Sequence, residues 1–277
     1  STDSKYSQII DLNDEKTYPE DWLTHSVPTV AAPEDLILYE THIRDFSSAD
    51  TALSNDTYRG KYKAFSETNS HGMKHLLKLR DAGLNTVHLL PTYDLSTINE
   101  TAGTAIDIND TVARACQSFE LSYCSNQSLT KKTIKELLES FDPATSEAAD
   151  LVSVIRGEDN YNWGYDPYHY TVPEGSYAVD PEGENRIVEF REMVTSLHKQ
   201  GFRTFASGVN EKSVLDKVVP NYYHRYDPVT GVIEMSTCCD NSATEHKMME
   251  KLMVDSLVVW ARDYKIDGFR FDLMGHQ

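Results

Sequence analysis

Hydrophobic and polar positions along the chain switch between two periods. LILYETHI, residues 36–43, is an apolar, partly aromatic run closed by the polar RDFSSAD, and it predicts a buried strand. Over 71–82 the period lengthens, with Met73, Leu76, Leu77 and Arg80 at helical spacing and Gly83 as a terminator. NTVHLLP then predicts a second strand. Strand, helix and strand in this order form a βαβ unit with parallel strands, so the fold class is α/β, the class of doubly wound sheets and (β/α)8 barrels.

From about 92 to 162 the periodicity becomes irregular, apart from a short amphipathic piece over 131–138, which predicts a long excursion from the scaffold. Order returns over 184–199, where Ile187, Phe190, Val194 and Leu197 recur at three and four and give a helix with one apolar stripe. A further helix is predicted over 245–263, with Met249, Met253, Leu257 and Trp260 as its buried face. KIDGFRFDL reads as a strand that follows it. There is no internal repeat and no low-complexity tract.

The charge balance narrows the partners. With 26 Lys+Arg against 44 Asp+Glu the net charge is -18, which repels phosphate backbones and anionic lipid, so nucleic acid and membrane surfaces are poor partners and a neutral substrate fits better. The same acidity also serves as a solubility device. No apolar run is long enough to span a bilayer, and the N-terminus lacks the basic start and apolar stretch of a secretory signal. The four cysteines show no zinc spacing. Cys116 and Cys124 can close a short loop disulfide, and the adjacent Cys238 and Cys239 can form a strained vicinal one; free thiols are the alternative for both pairs.

Two constellations carry candidate chemistry. In KIDGFRFDLMGH, alternation puts Arg270 and Asp272 on one strand face and Phe269 and Phe271 on the other, where the rings pack against helices. A guanidinium beside a carboxylate keeps the latter ionised, and barrel enzymes place catalysts at strand C-termini; a plain buried ion pair is the competing reading. In YNWGYDPYHYTVPEGSYAVDP, six aromatic residues counting His169 crowd the stretch from Tyr161 to Tyr170, with Gly164 and Pro167 among them. Exposed rings such as Trp163 and Tyr165 beside carboxylates suit stacking on sugar C–H faces; a loop that packs its own aromatics is the alternative.

YNWGYDP, the strand YETHIRDFS, TVHLLP and DGFRFDLMGH, in this order, resemble the pullulanase branch of the α-amylase superfamily, the starch-debranching glycoside hydrolases, over nearly the whole chain. YNWGYDP is specific to that branch, whereas DGFRFD is shared across the superfamily. The resemblance implies a partial (β/α)8 TIM barrel: residues 1–35 lead into a catalytic domain over 36–277 that carries an insertion over about 92–183. It makes Asp272 the nucleophile, Arg270 its charge partner and Tyr165 the ring under the sugar at the cleavage point, with His88, Asp166 and Trp163 lining the substrate site. It implies hydrolysis of α-1,6 branch linkages in pullulan, amylopectin or limit dextrins by a retaining mechanism. No cofactor is required, and calcium is compatible. STCCDNS and PEGSYA resemble segments of secreted or surface-anchored bacterial pullulanases, which points to an extracellular or cell-surface parent and favours the disulfides.

Two departures from the family pattern bear on activity. The family's general-acid Glu and stabilising Asp come from later strands, and the sequence stops at Gln277. The family's Asp-x-x-x-Asn-His is absent after the helix over 184–199, where GFR runs into TFASGVNEKSVLDK, so a third strand is expected to be deleted between Arg203 and Thr204. The polypeptide is therefore expected to turn over little. The rival readings are another superfamily hydrolase such as an isoamylase or an α-amylase, a non-catalytic α-glucan-binding fragment, and a truncated reading frame without a stable fold.

Overall fold

The computed structural model describes residues 8–100, 104–159, 162–208, 218–235 and 240–272. Thr97–Asn162 forms one compact unit, and Tyr6–Ser96 together with Trp163–Gln277 forms another. The strands are β1 (Leu38–Thr41), β2 (Thr86–Leu89), β3 (Tyr93–Leu95), β4 (Pro167–Pro173), β5 (Arg203–Gly208) and β6 (Gly268–Phe271). The helices are α1 (Ile43–Ser47), α2 (His71–Asp81), α3 (Val112–Ser118), α4 (Gln127–Thr130), α5 (Ile134–Leu138), α6 (Glu147–Ile155), α7 (Asn185–Lys199) and α8 (Lys247–Asp263).

The larger unit holds a four-stranded parallel sheet in the order β1-β2-β5-β6 and an antiparallel pair, β3-β4. The α/β class is thus observed. The expected deletion of the third strand is corrected: Arg203–Gly208 is itself a strand, pairing Thr86 with Arg203 on one side and Phe205 with Gly268 on the other. RTFASG was misread because its small and polar residues leave no apolar run to mark it. The Asp-x-x-x-Asn-His pattern is missing from this stretch. A second correction concerns the aromatic segment, of which Pro167–Pro173 is strand rather than loop.

Helix faces follow the sequence pattern. α2 opens where Ser70 accepts the Met73 N–H, and it buries Met73 and Leu76 completely. α7 buries Ile187, Phe190, Met193, Val194 and Leu197 against Val87, Leu89 and Ala206 of the sheet. α8 buries Met249 and Trp260, while Met253 and Leu257 are only half-buried. Each large apolar side chain so buried contributes about 1.5–3 kcal/mol. In the smaller unit, the capping box of Thr133 and Glu136 starts α5, and Ile106, Val112, Ala115, Ile134, Leu137, Leu151 and Ile155 form a separate core. Cys116 and Cys124 are disulfide-bonded there. Cys238 and Cys239 lie outside the described residues.

The N-terminal stretch is fixed to α7 by a buried cation. Arg191 is 1% exposed and donates to the Thr17 carbonyl (2.9 Å), the Thr17 hydroxyl (2.5 Å) and the Leu12 carbonyl (2.9 Å). Its guanidinium lies 4.9 Å from the Trp22 ring, 5.4 Å from Tyr264 and 5.5 Å from Tyr18.

A second tether is a histidine relay. His25 Nδ1 lies 3.1 Å from the Asp21 carbonyl, His25 Nε2 lies 3.0 Å from His198 Nδ1, and His198 Nε2 lies 2.8 Å from an Asp267 carboxylate oxygen. Burial holds the His25 pKa below its ordinary 6.5, with Lys265 and His198 acting in the same direction. Because the fold favours the neutral ring, this contribution is full above pH 6.5 and is lost as pH falls below it. Thermal melts of the chain are expected to decline below about pH 6, and His25→Phe to flatten that part of the profile.

Candidate active site

Parallel register brings Glu40, His88, Phe205 and Gly268 into one row across the sheet. Arg270, two residues beyond Gly268, lies on that same face, and Asp272 follows just past the strand. The row is tight: a Cβ on Gly268 would meet the Phe205 ring at 2.5 Å, so glycine lets the ring lie across the β6 backbone. On the opposite face Phe269 packs against the helix-covered core as expected, whereas Phe271 is 38% exposed, near the end of an edge strand.

Arg270 joins the parts of the site. One guanidinium nitrogen contacts Asp272 Oδ1 at 2.9 Å and another donates to the Tyr165 hydroxyl at 3.2 Å. The Asp272 side chain is 29% exposed, so the carboxylate is held but open to solvent. Burial, then the Asp272 charge, raises the Tyr165 pKa against the opposing effect of Arg270. Tyr165 is therefore a neutral phenol that accepts from Arg270 and keeps its own proton to donate.

Tyr165 reaches this position because of its neighbours. Gly164 has φ +87°, and a Cβ there would lie 2.5 Å from the Pro91 carbonyl oxygen, so the turn admits only glycine. Asp166 enters through its main chain, accepting the Ser96 N–H at 3.0 Å. Behind it, Asp94 binds His169 (2.5 Å) and Arg186 (3.1 Å), locking β3 to β4 and to α7. Gly164→Ala combines about 1–2 kcal/mol of left-handed strain with this clash. In an enzyme carrying the later strands it is expected to cost on the order of 100-fold in kcat/KM, beyond any loss of stability measured by urea unfolding.

His88 is buried on β2, and its Nδ1 lies 3.2 Å from Glu40 Oε2 on β1. Desolvation lowers its pKa, opposed by Glu40 and reinforced by Arg270. The ring is thus neutral near pH 7, fixed in orientation beside the guanidinium. Trp163 is 61% exposed, two residues before Tyr165. Tyr161 lies outside the described residues.

The chain is 42% identical over 299 residues to the pullulanase of Klebsiella pneumoniae and 40% identical over 288 residues to the chloroplastic pullulanase 1 of Arabidopsis thaliana, and both alignments take in 100% of it. Over its whole length the chain is similar to a segment of the pullulanases. A crystal structure of the maltotriose complex of PulA from Klebsiella pneumoniae superposes with a TM-score of 0.90 at 39% identity, covering 100% of this chain and 32% of that one. No family model matches. The chain spans about a quarter, 27%, of the curated relatives it matches.

Pullulanase-family motifs point to Arg270, Asp272, Tyr165 and His88, which the fold brings to one face; they do not point to Glu40, although YETHIRDFS contains it. Its signal is positional, since Glu40 and His88 occupy corresponding places on adjacent strands. The Glu174 oxygens accept the Leu95 and Ser176 N–H groups, and Arg186 faces Asp94.

Proposed function

We propose that this segment supplies the nucleophile side of an active site that hydrolyses α-1,6-glucosidic linkages in pullulan, amylopectin and limit dextrins with retention. The observation that carries the reading is Arg270 bonded at once to Asp272 and Tyr165. Strand order in the sheet follows chain order without reversal, as in an arc of a (β/α)8 barrel rather than a doubly wound sheet. The related structure titled as a maltotriose complex supports an α-glucan as substrate.

In this mechanism Asp272 attacks the anomeric carbon and forms a glycosyl-enzyme ester while a second carboxylic acid, about 5–5.5 Å away in retaining enzymes, protonates the departing oxygen. Water then cleaves the ester, with that second group now acting as base. Arg270 orients the nucleophile and Tyr165 stacks under the sugar. His88, Asp166 and Trp163 line the site. The second carboxyl group belongs to a later strand, so the 277-residue polypeptide alone binds α-glucan and turns it over slowly. The Cys116–Cys124 bond supports an extracellular or cell-surface setting.

Pullulan assays test the reading. An enzyme with the later strands is expected to release maltotriose whose new reducing end appears first as the α-anomer by proton NMR, while the isolated polypeptide yields few reducing ends. First appearance of the β-anomer, or equal cleavage of linear amylose, would refute it.

A further inference from the structure

Four Asn-x-Ser/Thr triplets occur along the chain, starting at Asn55, Asn99, Asn109 and Asn126. None has proline in the middle position, so each fits the acceptor pattern for N-linked glycosylation. All four asparagines are exposed, although Thr101, the third residue of the Asn99 triplet, lies outside the described residues. Three of the four fall between residues 99 and 126, within the smaller unit. That unit also holds the Cys116–Cys124 bond, a second covalent mark of an oxidising, secretory compartment.

Such a triplet becomes a site only where the folded chain can carry a bulky substituent on the asparagine nitrogen. At Asn126 the side-chain oxygen accepts the Ser128 N–H at 3.0 Å and the Ser128 hydroxyl at 2.7 Å. Both bonds run through oxygen, so a sugar on Nδ2 leaves them intact. Asn109 Nδ2 donates one hydrogen to Asp107 Oδ1 at 2.8 Å, and its second hydrogen is the one a sugar would replace. Beside it Ile108 is 50% exposed, an apolar side chain that a solubilising glycan would cover. We propose that Asn109 and Asn126 of the smaller unit are N-glycosylation sites. In the transfer, Nδ2 forms a bond to the reducing-end C1 of an oligosaccharide carried on a polyprenyl diphosphate. The bond from C1 to the diphosphate oxygen breaks, the diphosphate keeps the electron pair, and the amide gives up one proton. The proposal rests on the extracellular or cell-surface reading of the parent protein, since this chemistry acts on exported chains.

Peptide-N-glycosidase treatment of the protein from its native source, carried out in heavy-oxygen water, is expected to convert Asn109 and Asn126 to labelled aspartate, read by peptide mass spectrometry. In the 277-residue chain secreted from a yeast, Asn109→Gln and Ser128→Ala should each remove one whole glycan from the intact mass, whereas Ser128→Thr keeps it. Asn109→Gln stands by itself should loss of the Ser128 hydroxyl unsettle α4. An asparagine that stays unlabelled in the native protein overturns its assignment. If both stay unlabelled while Cys116–Cys124 is closed, the glycan proposal falls and the export reading stands; if both stay unlabelled and the two cysteines are free, both fall. None of these readouts depends on pullulan hydrolysis, so the catalytic reading is tested separately.

Discussion

Asp272→Asn, in an enzyme that carries this segment with the later strands, is expected to lower kcat on pullulan by on the order of 10,000-fold. The amide matches the carboxylate in shape and can still accept from Arg270, so the 2.9 Å contact and the placement of Tyr165 survive. What is lost is the nucleophile, which a neutral amide cannot replace. The loss should therefore fall on kcat, with KM for pullulan changed little. Arg270→Lys should be milder but should raise KM as well, because one ammonium group cannot hold Asp272 and Tyr165 in the fixed fork of a guanidinium. Reducing-end assays over a range of pullulan concentrations separate the two effects. Activity of Asp272→Asn within tenfold of the parent would remove Asp272 from the nucleophile role.

Arg191→Ala is expected to be the most damaging single substitution for stability, at about 3–5 kcal/mol in urea unfolding. It deletes three charge-assisted hydrogen bonds, leaves the Thr17 carbonyl without its Arg191 donor and the Leu12 carbonyl with only the Thr17 hydroxyl at 3.2 Å, and takes the cation from between three rings. Arg191→Met should cost less, because a buried apolar chain carries no desolvation penalty while it still fills the space between Trp22 and Tyr264. If both variants unfold at the same denaturant concentration as the parent, the N-terminal stretch contributes nothing to the fold.

α2 and α7 were legible because their apolar spacing and their ends agree: Ser70 opens one, and the turn after Lys199 closes the other. α8 was legible in extent but not fully in face, since Ser256 is buried where Met253 and Leu257 were expected to be. Ser256 is there to donate to the Tyr170 carbonyl, a partner 86 residues away that no local periodicity reveals. The same limit hid β5, whose strand character comes from pairing with neighbours on both sides. At the site, motif residues could be named individually. Glu40, and the Gly164 contact with Pro91, arise only when distant segments meet. Asp94 with His169 and Arg186 was likewise invisible, because its partners lie 75 and 92 residues along the chain.

The bond between Cys116 and Cys124 spans eight positions, a short ring whose closure entropy corresponds to about 2–3 kcal/mol. Among the described residues the core it supports has seven buried side chains, so that increment is a large share of what holds this unit together. Production in a reducing cytosol would therefore leave this part of the polypeptide vulnerable to cleavage while the parallel sheet stays intact. Export to an oxidising compartment would make its maturation wait on thiol chemistry rather than on chain collapse.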